Sequence, residues 1–199
     1  MNVRTKATSI AILLLTAGCA GSPYDIAKKH DALRDYQGVD SGFIVAGAGA
    51  VKDSRLSISG VTFRRRGTEE LVSFGFKPKQ PLLPGGSSVD FESAIAAGTI
   101  WVKRLPPGDY EIVSTTGTQF GRYEYNCSRP IPPIIIFTIK TGEVAYLGRY
   151  VSMSRWPVCG DVSISEDERA DIATAKAHNP DLPVAVVRSF VPPAAQRKL

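Results

Sequence analysis

The spacing of hydrophobic positions changes along the chain, and the changes divide it. An unbroken apolar run from Ile10 to Leu15 follows a basic start carrying Arg4 and Lys6, and ends in Thr16-Ala17-Gly18-Cys19. About twenty apolar residues are needed to span a bilayer, so the run predicts an export signal over residues 1–18 rather than an anchor. Helical spacing comes next. Ser22 is an N-cap with Pro23 at the first helical position and Asp25 completing a capping-box pattern; Ile26, His30 and Leu33 share a face, and Gly38 ends the helix. Residues 19–40 thus read as a leash with a short N-terminal helix. His30 has no second ligand at helical spacing on its face and is assigned to packing.

From Ser41 onward the period falls to two. Short β-rich runs broken by Gly and Pro predict strands over 43–51, 55–65, 71–76, 89–91, 99–104, 110–114, 122–126, 134–139 and 144–151. In the second of these, Leu56 and Ile58 share one parity while Val61 and Phe63 share the other, which places a bulge at Gly60. Residues 77–86, rich in Pro and Gly, are a loop. Gly47-Ala48-Gly49 lacks the third glycine and the following helix of a nucleotide-binding turn, so close backbone packing explains it. Ser165-Glu166-Asp167-Glu168 is a capping box for a helix of about 166–178 that ends at Asn179-Pro180 and offers Ala170, Ile172, Ala173 and Ala177 to a sheet. A last strand over 183–190 and a mobile tail over 192–199 complete the chain. The fold class is mainly β: an antiparallel β-sandwich over 41–191, with a short N-terminal helix and one C-terminal helix.

The signal that opens the chain resembles the lipobox of bacterial lipoproteins, in which the cysteine after the small residues is lipidated and becomes the new N-terminus. The resemblance implies lipidation of Cys19, and Ala20 in place of Asp resembles the pattern that allows transfer to the outer membrane. It therefore implies a lipid-anchored envelope protein, facing the periplasm from the outer membrane. With Cys19 taken by lipid, Cys127 and Cys159 remain as a pair in an oxidising compartment, where a disulfide closing their loop stabilises by about 3 to 4 kcal/mol. Metal binding is the rival for these thiols, with no CxxC and only His30 and His178 to assist. Thr141-Gly142, read as a two-residue hairpin turn, pairs Ile139 with Val144 and Phe137 with Tyr146, and carries Cys127 and Cys159 to the open end of one hairpin.

Leu105-Pro106-Pro107-Gly108-Asp109-Tyr110 resembles the tyrosine-corner turn of immunoglobulin-like and transthyretin-like sandwiches, which gives Tyr110 a structural role. With the Lys140–Gly148 stretch it is similar to bacterial lipoproteins whose domain looks like the carboxypeptidase-regulatory type of sandwich. That resemblance implies a fold and an address, and no activity.

Charge narrows the partners. The precursor carries a formal net charge of +5, and loss of Arg4 and Lys6 with the signal leaves a balance too small for a nucleic-acid footprint. Arg64-Arg65-Arg66 is read as solvated surface, with anionic lipid as the alternative. No GxSxG, HExxH, Walker loop or CxxC occurs; Glu166, Asp167, Glu168 and Asp171 are explained by helix solubility, and no catalytic residue, metal site or cofactor is assigned. The leading function is a non-catalytic, membrane-tethered module that binds another envelope protein. A carbohydrate or small-ligand binder is the alternative, with Tyr123, Tyr125, Arg129, Arg155 and Trp156 as its patch, because aromatic faces and guanidinium donors suit glycans. A cell-wall hydrolase is the third.

Overall fold

The computed structural model describes residues 33, 36–54, 58–78, 86–119, 125–130, 135–155, 158–193 and 196, with backbone alone at 118–119 and 125–130. In chain order the strands are β1 (Gly42–Val51), β2 (Ile58–Arg65), β3 (Leu71–Phe76), β4 (Phe91–Glu92), β5 (Ala96–Leu105), β6 (Gly108–Gln119), β7 (Tyr125–Pro130), β8 (Ile136–Ile139), β9 (Val144–Ser152), β10 (Val162–Ser165) and β11 (Val187–Ser189). One helix, α1 (Glu168–His178), lies between the last two strands. The strands form two sheets. The first runs β10-β9-β1-β5-β4, with β11 also on β9; the second runs β3-β2-β6-β7, with β8 also on β6. The expected mainly β, sandwich-like fold with one C-terminal helix is therefore present. The signal, Cys19 and most of the expected N-terminal helix lie outside the described residues; Leu33, from that helix's apolar face, is buried in the main core.

Alternation builds that core. Val61 and Phe63 of β2, Val72, Phe74 and Phe76 of β3, and Ile44, Ala46, Ala48 and Ala50 of β1 point between the sheets. Phe63 sits at the centre, edge-on to Phe74, Phe137 and Tyr150 at ring separations of 5.5, 5.4 and 5.9 Å. The sheets also touch through polar groups, since the Trp101 indole donates to Gly75 O (2.8 Å) and Ser59 Oγ to Gly49 O (2.9 Å). The small residues of β1 permit close approach: a Cβ on Gly47 would lie 2.8 Å from Arg149 Cγ, and one on Gly49 2.7 Å from Ala97 O. This is the packing role expected of that stretch.

The tyrosine corner is formed as read. Tyr110 is fully buried, donates to Pro106 O (2.8 Å) and stacks on Phe137 at 5.6 Å. The arginine run braces this corner while its side chains stay a third to a half exposed. Arg64 and Arg66 flank the buried Glu111 carboxylate at 2.6 and 3.6 Å, and Arg65 donates to Pro107 O (3.1 Å).

Several expectations need correction. The first sheet is mixed rather than antiparallel, because β1 and β11 both run parallel to β9. The Lys140–Glu143 turn does form, with Gly142 at φ +74° and Glu143 N donating to Lys140 O (3.1 Å). It joins different sheets: Phe137 pairs with Tyr110, and Val144 with Phe43. Alternation on both sides of a tight turn is common to a hairpin and to a sheet-to-sheet corner; the stacking of Phe137 on Tyr110 favours the corner. The bulge expected at Gly60 lies on the partner strand, where Thr62 pairs with Ser114 and Phe63 with Ile112, leaving Val113 extra. Helix α1 is capped by Asp167, whose side chain accepts from Ala170 N, and not by Ser165. Its buried residues are Asp171 and Ala175, while Ala170, Ala173 and Ala177 face solvent. Pro192, expected to open a mobile tail, is buried.

Burial pushes the phenols of Tyr110, Tyr146 and Tyr150 above their ordinary value of 10.0. A raised folded value means that their contribution to stability is complete below pH 10.0 and is lost as the pH climbs towards the raised values. The phenols of Tyr110 and Tyr150 differ in one respect: the Tyr150 hydroxyl is buried with no hydrogen-bond partner among the described residues. In urea unfolding at neutral pH, Tyr110→Phe will cost about 1 to 3 kcal/mol by orphaning a buried carbonyl, whereas Tyr150→Phe will be neutral or stabilising.

Candidate functional site

Two groups of side chains stand out around the first sheet and helix α1. Tyr146 and Arg149 are three apart on β9, so a regular strand would point them to opposite faces. The β1–β9 register slips between Val45 and Gly47, with Gly148 at φ +83°. That bulge turns both side chains towards α1. A Cβ at Gly148 would also lie 2.8 Å from Ser165 O. On α1, the Asp171 carboxylate is 1% exposed; its Oδ2 accepts from the Tyr146 hydroxyl (2.7 Å), and its Oδ1 from Arg149 Nε (2.9 Å) and Nη2 (2.7 Å). The Tyr146 oxygen in turn accepts from Asp167 N (3.0 Å), at the start of the helix. Phe91 covers the guanidinium at 4.8 Å. Every strong polar group in this cluster has a partner, which makes it a clamp between helix and sheet rather than a reactive centre.

Beyond the C-terminal end of α1 lies a groove with two recesses, of about 420 and 560 Å³. They meet at Val102 and Asn179. The first is lined by Ser87, Ser88, Thr99, Trp101 and His178; the second by Tyr36, Phe43, Lys103, Arg104 and Asp181. Asp90 stands beside the first recess. Its Oδ2 accepts from Thr99 Oγ1 (2.6 Å) and Ile100 N (2.7 Å), with Ser88 Oγ at 3.4 Å, while His178 Nε2 faces Oδ1 at 3.4 Å. The serine and threonine hydroxyls thus lean on the carboxylate, and the histidine faces the carboxylate rather than either hydroxyl. This is not the nucleophile–base–orienter order of acyl-transfer enzymes. Arg104 donates through Nε to Ser41 Oγ (2.6 Å) and lies 5.7 Å over Phe43; Lys103 lies 5.6 Å over Trp101. Among the described residues no three His, Cys, Asp or Glu side chains gather as a metal site requires, and no helix is long and apolar enough to cross a membrane.

None of the site residues singled out from the sequence is among the described residues that line the groove. Cys19, Tyr123 and Trp156 lie outside the described residues, and Tyr125, Cys127 and Arg129 are described by backbone alone, on β7 opposite Gln119, Gly117 and Thr115. Arg155 is half exposed and ion-paired with Asp53 at 2.9 Å. The one-hairpin geometry that brought Cys127 to Cys159 is overturned, because Cys127 lies in the second sheet and Cys159 leads into β10 of the first. The two sheets nevertheless approach there: Thr115 and Gly117 share a small cleft with Ser152, Ser154 and Gly160. Sequence reasoning missed Asp90, Trp101 and the clamp. An Asp just before a short strand, as at Asp90, was the only local signal for the first, and Asp171 had none beyond its position in a polar helix.

No family model matches the chain, and no curated protein matches it. Among solved structures, a leucine-rich repeat protein from Bacteroides thetaiotaomicron aligns at 15% identity over 60% of this chain and 14% of its own, with a TM-score of 0.36. So slight a likeness says nothing about function.

The clamp makes a direct prediction. Asp171→Ala leaves the Arg149 charge, 18% exposed, with only the longer contact to Asp167 at 3.4 Å, and will destabilise the fold by about 3 kcal/mol in urea unfolding. Val184→Ala, at an exposed position nearby in sequence, will change stability by less than about 0.5 kcal/mol.

Proposed function

We propose that the protein is a non-catalytic, lipid-anchored interaction module of the cell envelope, tethered through Cys19 at the outer membrane and facing the periplasm. The observation that carries the interaction reading is the groove along β5. It combines aromatic and cationic side chains with strand backbone that, on the side away from β1 and among the described residues, has no neighbouring strand beyond Gly98. Such surfaces serve recognition. The anchor reading rests on the layout of residues 1–19 and on lipid chains contributing about 0.8 kcal/mol per buried methylene.

We also assign Cys127 as the disulfide partner of Cys159. Support comes from the disulfide-bonded state of Cys159 and from the cleft shared by Gly117, opposite Cys127, and Gly160, beside Cys159. The bond would staple the two sheets together rather than close a hairpin.

Two measurements on one strain test the proposal. Labelled palmitate will mark the wild type and not Cys19→Ser, which will leave the membrane fraction while staying folded. Crosslinking in intact cells followed by solubilisation will recover one stoichiometric envelope protein. A wild type without lipid label refutes the anchor. Absence of a partner, together with saturable glycan binding lost in Trp156→Ala, replaces the interaction module with the glycan binder.

A further inference from the structure

We propose that the end of the sandwich carrying Val39, Val184 and Val186 rests on the lipid bilayer that holds the proposed Cys19 anchor. This deepens the envelope reading and rests on its anchor. Backbone hydrogen bonds bring the three segments to one end. Gly142 N donates to Ser41 O (2.9 Å) and Phe43 N to Glu143 O (2.9 Å), which ties the start of β1, just after Val39, to the Lys140–Glu143 turn. Val144 N donates to Val186 O (3.0 Å), which brings the approach to β11 against the same turn. Tyr36 and Gln37 share a recess with Pro183, so the approaches to β1 and β11 also meet each other.

The valines on these segments face water: Val39 is 90% exposed, Val184 42% and Val186 44%. Exposure alone does not decide, because single apolar side chains are common on protein surfaces. Ile95 and Val158 are as bare, at 60% and 66%, and they belong to the opposite end. There Lys52 N, just past β1, donates to Ile95 O (2.9 Å), and Arg155, bridged to Val158, is ion-paired with Asp53. What separates the two ends is the path to the anchor. The chain from Cys19 enters the described fold at the buried Leu33 and at Tyr36, and then passes directly into Val39. At about 3.3 to 3.6 Å per residue, the stretch from Cys19 to Leu33 spans no more than about 50 Å in any conformation, so the lipid draws this end to the bilayer ahead of the other.

Tethering also changes how strong the contact must be. Once one end is anchored, docking becomes an intramolecular step, so three valines too few to hold a free domain on a membrane suffice to orient a tethered one. Apolar side chains of this kind settle at the boundary between headgroups and acyl chains. Charge does not choose the lipid. Asp40 and Lys140, both exposed, stand at this end with opposite signs, and Arg188 is matched by Glu143 at 2.8 Å. A zwitterionic bilayer is therefore enough.

The test uses the full chain, purified from envelopes and reconstituted in phosphatidylcholine vesicles, with a nitroxide on one introduced cysteine at a time. Val39→Cys, Val184→Cys and Val186→Cys report on the proposed face; Ile95→Cys and Val158→Cys report on the far end. All five positions are exposed, so none of the substitutions disturbs the core. The parent chain, carried through the same labelling, sets the background. Collision with oxygen, which concentrates in lipid, is compared with collision with a nickel complex confined to water. At 39, 184 and 186 the ratio of oxygen to nickel collisions will be severalfold higher than at 95 and 158. The same three labels placed in Cys19→Ser, which lacks the tether, will fall to the ratio of the far end. Equal ratios at all five positions on vesicle-bound chain, or shielding at 95 and 158 instead, overturn the inference and leave the anchor standing. Labels that stay shielded in Cys19→Ser show burial within the protein and overturn it as well. A wild type that stays off the vesicles refutes the anchor, and the inference with it.

Discussion

The carboxylate of Asp171, almost wholly withdrawn from water, is held by a tyrosine hydroxyl and by a guanidinium fork from a single strand of the sheet beneath it. Removing a carboxylate and a guanidinium from water costs several kcal/mol per ion, so this arrangement persists only because its bonds are short, convergent and complete. Completeness imposes conditions elsewhere. Gly148 must adopt a positive φ to bring Tyr146 and Arg149 to one face, and Gly47 must lack a side chain so that the Arg149 stem can cross β1. Helix α1, otherwise thinly apolar, is fixed over β1 and β5 by these partners with help from Ala175 and Leu182.

The groove inherits its shape from that clamp. His178, Asn179 and Asp181 stand at and beyond the end of α1, while Trp101, Lys103 and Arg104 belong to β5. Their separation depends on how the helix is seated. Lys176 Nζ contributes at this end by donating to Leu182 O (2.8 Å), which turns the chain back across the sheet towards β11. The strand edge and helix end that line the groove are thereby seated by an ion pair that is not part of its lining, an arrangement that would suit the proposed recognition.

What could be read from the sequence was local. The strand over 71–76 was legible to the residue because its alternation is regular and both ends are polar, and the role of Tyr110 followed from the turn that precedes it. Two-residue alternation carries no record of which strand lies alongside, so the parallel pairing of β1 with β9, and the parting of β8 and β9 into different sheets, were not legible. Asp171 looked like one more helix carboxylate, since its partners lie 22 and 25 residues away on β9. The edge of β5 was hidden for a related reason: a strand's sequence shows which face is buried and not whether its edge is paired. Of the aromatic and arginine residues picked as a binding patch, Arg155 alone has a described side chain, so the patch as a whole lies outside the described residues.

One buried ion pair seats α1 and so builds the groove. Amide hydrogen exchange on Asp171→Asn, which keeps the side chain's shape and removes its charge, tests it most directly. The account predicts that protection falls in α1 and in the 179–183 turn while the amides of β2, β3 and β6 keep theirs. Unchanged protection in α1, or an equal loss across both sheets, would contradict it.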